Sequence, residues 1–247
     1  MTAASAAGYA ERVLAVLGVA YSRVLLARFN GSRGHGSDDA ESDVDVYIVY
    51  APSTEEVLVA GLEASVAPPD TLTTSIEAGA GPGIEKTTDV ALYEVGKFLA
   101  LLRAGSPLAV ETVFAPSEDV YVDPLLAPVL EMRDEVLTRK AFRSLLGHTS
   151  SEFKQIELAE ARGVGWSKLL YHAQRLMLEV EAVYSGGRPQ VKFSGETLAA
   201  LMATKQGKLG GAGEAALLEK LRSRHQQLQR DDPTPAHLPQ ALPVNNS

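Results

Sequence analysis

The chain contains no cysteine among its 247 residues. That excludes disulfides, thiolate catalysis and cysteine-ligated zinc. No apolar run approaches the roughly 18 residues that a membrane-spanning helix requires, so no membrane association is expected. Residues 1–10 lack a basic stretch followed by an apolar one, so no secretory signal is read there and a cytoplasmic location is expected. No Ser-His-Asp or His-Glu-x-x-His grouping occurs, and there is no internal repeat. The one tryptophan, Trp166, falls at a predicted helix start, where core packing is its expected role. Basic and aromatic residues are not interleaved, which argues against sequence-specific binding of single strands.

Basic charge is scarce in one half only. Residues 1–132 carry 7 Lys/Arg against 19 Asp/Glu, whereas residues 133–230 carry 16 against 10. An acidic half able to hold cations and a basic half would together suit a polyanionic substrate, although basic helices can also be simply solvated.

What the acidic half does contain is a dense polar segment between two apolar runs. Val24 to Phe29 reads as a strand, Asn30-Gly31-Ser32-Arg33 as a turn, and Asp43 to Tyr50 as a second strand opening on Asp43-Val44-Asp45. Strand residues i and i+2 share a face, so Asp43 and Asp45 project together. Two neighbouring carboxylates favour a hard divalent cation that also keeps phosphates in its shell. Gly31 permits close backbone approach to a phosphate. Ser32 supplies a hydroxyl and amides, and Arg33 a fork of donors. Gly, Ser and Asp are also ordinary loop residues, so spacing alone leaves function and plain loop chemistry evenly matched.

This segment resembles the DNA polymerase β-like nucleotidyltransferase superfamily, whose signature is Gly-Ser on a turn and Asp-x-Asp on the next strand. Within it, Gly-Ser-Arg-x-x-Gly followed by Ser-Asp-x-Asp is closest to the RlaP-like (RNA ligase-associated) nucleotidyltransferases. Further segments are similar to that family: Asp89 to Leu102 to its Asp…Tyr-Glu-Leu-x-Lys-Phe stretch, Ser106-Pro107 to Glu111 to its Asn-Pro-x-x-Leu-Glu, and Lys168 to Leu176 to its His-Ala-x-Arg helix. Ser106 stands where the family has Asn. The resemblance spans roughly residues 20–210.

The resemblance implies an α+β fold: a polymerase-β-like core of a small mixed sheet with helices, followed by a helical C-terminal domain. The expected domains are 1–124 (catalytic), 125–230 (helical) and a flexible tail, 231–247. Helices are expected over 7–17, 94–103, 107–114, 126–146, 151–162, 167–184, 195–203 and 212–230, with further strands over 71–76 and 88–92.

The resemblance also implies nucleotidyl transfer, with an NTP as one partner and Mg²⁺ or Mn²⁺ as cofactor. Asp43 and Asp45 are the expected metal-binding catalytic residues. Asp89 is the expected third carboxylate, with Glu85 and Glu94 as substitutes. Gly31, Ser32 and Arg33 are expected to bind the nucleotide. Lys168, His172, Arg175 and Glu179, spaced 4, 3 and 4 apart on one helix face, either reach triphosphate oxygens or form a solvated polar face. Lys205 and Lys208 form a basic loop, and His35 lies in a Gly-flanked stretch expected to be flexible. An RNA end is the first expected acceptor. A partner protein or a small molecule is the alternative, and an inactive nucleotide-binding regulator is the non-enzymatic one.

Overall fold

The computed structural model describes residues 3–19, 21–40, 42–55, 57–58, 71–230 and 235–240. Helix α1 (Ala3–Leu17) is followed by β1 (Arg23–Phe29), the one-turn helix α2 (Gly31–His35) and β2 (Val44–Ala51). Strands β3 (Thr71–Ile76) and β4 (Thr88–Glu94) precede α3 (Val95–Ala104) and α4 (Pro107–Phe114). A 3-10 turn at Ser117–Asp119 leads into β5 (Val120–Val122).

The five strands form one mixed sheet in the order β3-β4-β2-β1-β5. Only the β2–β4 pair is parallel. Strand β2 lies at the centre, and its run of β-branched and aromatic residues is almost wholly buried, as a central strand's should be. Alternation sorts its side chains. Val44, Val46, Ile48 and Tyr50, with Val90 and Leu92 of β4, join the core under α1, where Ala6, Tyr9, Ala10, Val13 and Leu14 meet them. Asp45, Tyr47 and Val49, and Asp89, Ala91 and Tyr93 of β4, therefore face the other side. There Tyr47 stacks on Tyr93 (4.9 Å between centroids) and meets the edge of Phe98 of α3.

Downstream, α5 (Ala127–Glu131), α6 (Arg133–Val136), α7 (Arg139–Ala161), α8 (Ser167–Tyr184), α9 (Gly195–Lys205) and α10 (Gly210–Arg230) follow. The architecture is α+β with a helical C-terminal region, as expected. The chain divides into a sheet unit (Met1–Leu101 with Ala115–Met132) and a helical unit (Leu102–Phe114 with Arg133–Ser247). Residues 102–114, read from the sequence with the first domain, thus cluster with the helices.

Two expected helices are redrawn. The single helix over 126–146 is broken, because Thr138 adopts an extended backbone and its hydroxyl caps α7 by accepting from the Ala141 amide at 3.2 Å. The break expected at 147–150 is absent. Nothing lies within 4 Å of where a Gly147 side chain would begin, and the Thr149 and Ser150 hydroxyls donate to the Leu145 and Leu146 carbonyls one turn back. The helical unit is filled by clusters around Phe153, Ile156 and Leu170, against which Trp166 packs, and around Tyr171, Phe193 and Leu201.

Part of the expected flexible tail is docked. Leu238 is buried, and the Leu238 and Pro239 carbonyls accept from Arg139 Nε (3.1 Å) and the Arg139 amide (2.9 Å). The rest of that tail, 231–234 and 241–247, lies outside the described residues.

Candidate active site

The β1–α2–β2 connection builds the site. Strand β1 ends at Phe29, and Asn30 is still extended (φ −114°, ψ −162°), its amide donating to the Asp45 carbonyl at 2.8 Å. Gly31 then turns to φ +55° and opens α2. Its lack of a side chain is obligatory twice over, because the backbone angle disfavours L residues and a Cβ there would collide with the Asp45 carboxylate. Gly31 therefore lies directly against Asp45, and Ser32 and Arg33 follow on the first turn, half-buried. First-turn amides have no acceptor inside their own helix, so this turn carries donors suited to an anion.

The Gly34-His35-Gly36 stretch forms the end of α2 and its cap. His35 is buried at the end of the helix, Gly36 takes φ +75° as its left-handed cap, and the Ser37 amide donates back to the Ser32 carbonyl at 2.8 Å. Ser42 closes a local turn by donating to Asp39 Oδ1 (2.8 Å) and accepting from the Asp39 amide (3.0 Å). Lys86 clamps this loop from β4's side, donating to the Ala40 carbonyl (2.5 Å) and the Ser42 carbonyl (3.0 Å). Asp43 thus enters β2 from a braced loop.

Asp45 and Asp89 are Cα partners across the parallel β2–β4 pair. They share a face with each other, and alternation puts Asp43 on that face at the strand's entry. Asp43 and Asp89 are exposed and Asp45 is half-buried. Asp89 is held from both sides. Ser75, its cross-strand partner on β3, donates to Oδ1, and the preceding residue, Thr88, is tied to α1 by a 2.6 Å hydroxyl pair with Tyr9. Glu94 is occupied elsewhere, since its Oε2 accepts from the Lys97 amide at 3.0 Å and so caps α3.

Among the described residues, no group of three or more His, Cys, Asp or Glu side chains is gathered closely enough to form a metal site. The donor set nonetheless suits a hard divalent ion. It consists of carboxylate oxygens from paired strands beside a glycine whose missing side chain leaves the backbone against one of them.

The expected helix face resolves into two kinds of residue. Lys168 is exposed and His172 half-buried, but Arg175 and Glu179 are buried at 6% and 0% exposure. Arg175 pairs with Glu179 and with Glu111 of α4, 3.2 Å away. Burial alone would favour the neutral guanidine, but Glu111 and Glu179 outweigh it and hold its pKa above the usual arginine value. Arg175 is therefore an internal ion-pair residue of the helical unit. His172 is pushed down to about 4 by burial, then by Arg175, Lys168 and Lys205. It is neutral near pH 7 and offers a hydrogen bond rather than a charge.

Three contributors escaped the sequence reading. Ser75 sits in an unremarkable strand, Lys86 in a loop, and Arg28 inside an apolar run. Arg28 is only 1% exposed, and its guanidinium donates to the Phe29 carbonyl (3.2 Å) and to Asn30 Oδ1 (3.0 Å). The only sequence signal was a charged residue where strand periodicity demands an apolar one.

Residues 9–237 match the model of the family described as RlaP, the RNA repair pathway DNA polymerase beta family. No curated protein matches the chain. Among solved structures, a nucleotidyltransferase-like protein from Exiguobacterium sibiricum is similar at 10% identity, over 90% of this chain and 74% of that one, with a TM-score of 0.36.

Proposed function

Because the chain belongs to the RlaP family, the RNA repair pathway DNA polymerase beta family, we propose that its nucleotidyltransferase-like function is transfer of a nucleoside monophosphate from an NTP to an acceptor hydroxyl. The observation that carries this reading is the in-register pair Asp45 and Asp89, with Gly31 pressed against the Asp45 carboxylate.

In this reading the Gly31 and Ser32 amides, the Ser32 hydroxyl and Arg33 hold the β- and γ-phosphates. Asp43, Asp45 and Asp89 would hold Mg²⁺ or Mn²⁺, which when bound neutralises phosphate charge and acidifies a nearby hydroxyl. Asp89 accepts the proton of the acceptor hydroxyl, and Ser75 keeps its carboxylate oriented. The acceptor oxygen bonds to the α-phosphorus as the bond to the β-phosphate breaks, and pyrophosphate leaves. Catalysis on this scheme is chiefly alignment and charge stabilisation.

The acceptor proposed is an RNA end, supported by the family's description and by the basic excess of residues 133–230. Incubation with each α-³²P-labelled NTP, Mg²⁺ or Mn²⁺, and RNA of defined ends tests it. Label joined to RNA is the expected result. Label on protein or on a small molecule would move the acceptor class and leave the chemistry intact. Bound nucleotide with no transfer to any acceptor would replace transfer with binding alone.

A further inference from the structure

Arg28 is a charged residue in the interior of a sheet, and it lies directly beneath the nucleotide turn. It is on β1, a Cα partner of Tyr47, itself 0% exposed. Tyr47's phenol is kept neutral by burial and by Tyr93, with Arg28 opposing that shift. Burying a guanidinium costs several kcal/mol unless it is well hydrogen-bonded and compensated. A strand seeking stability alone would place an apolar side chain here. Two of the guanidinium's donors are instead directed at the turn, Nε to the Phe29 carbonyl and a terminal nitrogen to Asn30 Oδ1. The same side is pressed by α2: a Cβ on Gly34 would stand 2.8 Å from that terminal nitrogen and 2.8 Å from the Phe29 carbonyl oxygen. Gly34 is thus small because the guanidinium lies under it.

We propose that Arg28 is a positioning residue of the phosphate-binding turn, fixing Phe29-Asn30-Gly31 from below. The inference rests on the nucleotide-binding reading of Gly31 and Ser32. Two consequences follow from the geometry. The side chain does not touch substrate, because it is enclosed. Any change that tilts the guanidinium tilts Asn30, and with it the amides at Gly31 and Ser32.

The test measures binding of ATP with Mg²⁺ by calorimetry, beside melting temperature and the steady-state split of KM from kcat. Arg28→Gln is expected to weaken ATP binding about tenfold or more, the scale of losing a charge-assisted contact, and to raise KM more than it lowers kcat. Arg28→Lys should recover part of the affinity, since it restores charge without the two-pronged geometry. Gly34→Ala keeps the arginine but displaces it, and Asn30→Ala removes its acceptor. Both should weaken ATP binding in a folded protein, so the idea stays testable if Arg28→Gln does not fold. Wild-type affinity in Gly34→Ala and Asn30→Ala, or in a folded Arg28→Gln, would overturn it. A wild-type protein that binds no NTP would instead bring down the nucleotide reading itself, and this role with it.

Discussion

In the sheet unit, Asp43 and Asp89 are exposed and Asp45 is half-buried, with Asp45 and Asp89 Cα partners on paired strands. In the helical unit, Glu111 and Glu179 are shut in around Arg175. The same functional group is used in opposite ways. Like charges on one face disfavour each other's ionised form, so the aspartates' placement is a cost that folding tolerates. The glutamates cannot be left without their arginine, because an unpaired buried charge is far more expensive than the pair. The glutamates have their counterion built into the chain.

That contrast is most exposed to failure at Asp45. Asp45→Asn is expected to abolish transfer, a loss of about a thousandfold or more in kcat by comparison with removal of other key electrostatic groups, while the protein stays folded. A variant that turns over normally would remove Asp45 from the chemistry. The mirror-image change is Arg175→Ala, expected to lower unfolding free energy by about 3–5 kcal/mol because two carboxylates lose their partner. Urea denaturation measures this, and the triple change Glu111→Leu, Arg175→Met, Glu179→Leu should restore much of it. If Arg175→Ala were as stable as wild type yet bound ATP poorly, the division drawn between the two units would be wrong.

The smallest effect concerns His172. Its pKa is pushed down to about 4 in the folded chain against 6.5 ordinarily. Between those values the unfolded chain binds a proton that the folded chain does not, so stability rises with pH across that window. The contribution is complete above about pH 6.5 and is lost as pH falls toward 4. Melting temperatures measured through this range should show a flatter profile for His172→Asn, and an unchanged slope would mean that His172 titrates normally.

The strands and the acidic pair were legible because a two-residue period is written directly in Asp43-Val44-Asp45-Val46, and β2 and β3 appear within a residue of expectation. Lys168, His172, Arg175 and Glu179 were legible as a row but not in their surroundings. Helical spacing shows which residues are neighbours, not that Glu111, 64 positions away, waits opposite Arg175. The two segments whose likeness to the family was noted separately, Ser106 to Glu111 and His172 to Arg175, turn out to meet through that ion pair. Arg28 was hidden for a similar reason, since its role depends on Gly34 lying over it. The helix start at Arg139 was missed although Thr138 is a favoured cap, because the apolar pattern runs on across it.

The stretch 235–240 turns the first turn of α7 into a reporter. The Arg139 amide belongs to a position whose donor would ordinarily face water, yet it is taken by the Pro239 carbonyl from the far end of the chain. Its deuterium exchange therefore measures how long those last residues stay seated, independently of whether the helix itself is open. A chain cut after Arg230 would leave that amide, the Arg139 side chain and the seat of Leu238 bare. Exchange at this one position would quicken while the middle of α7 keeps its protection.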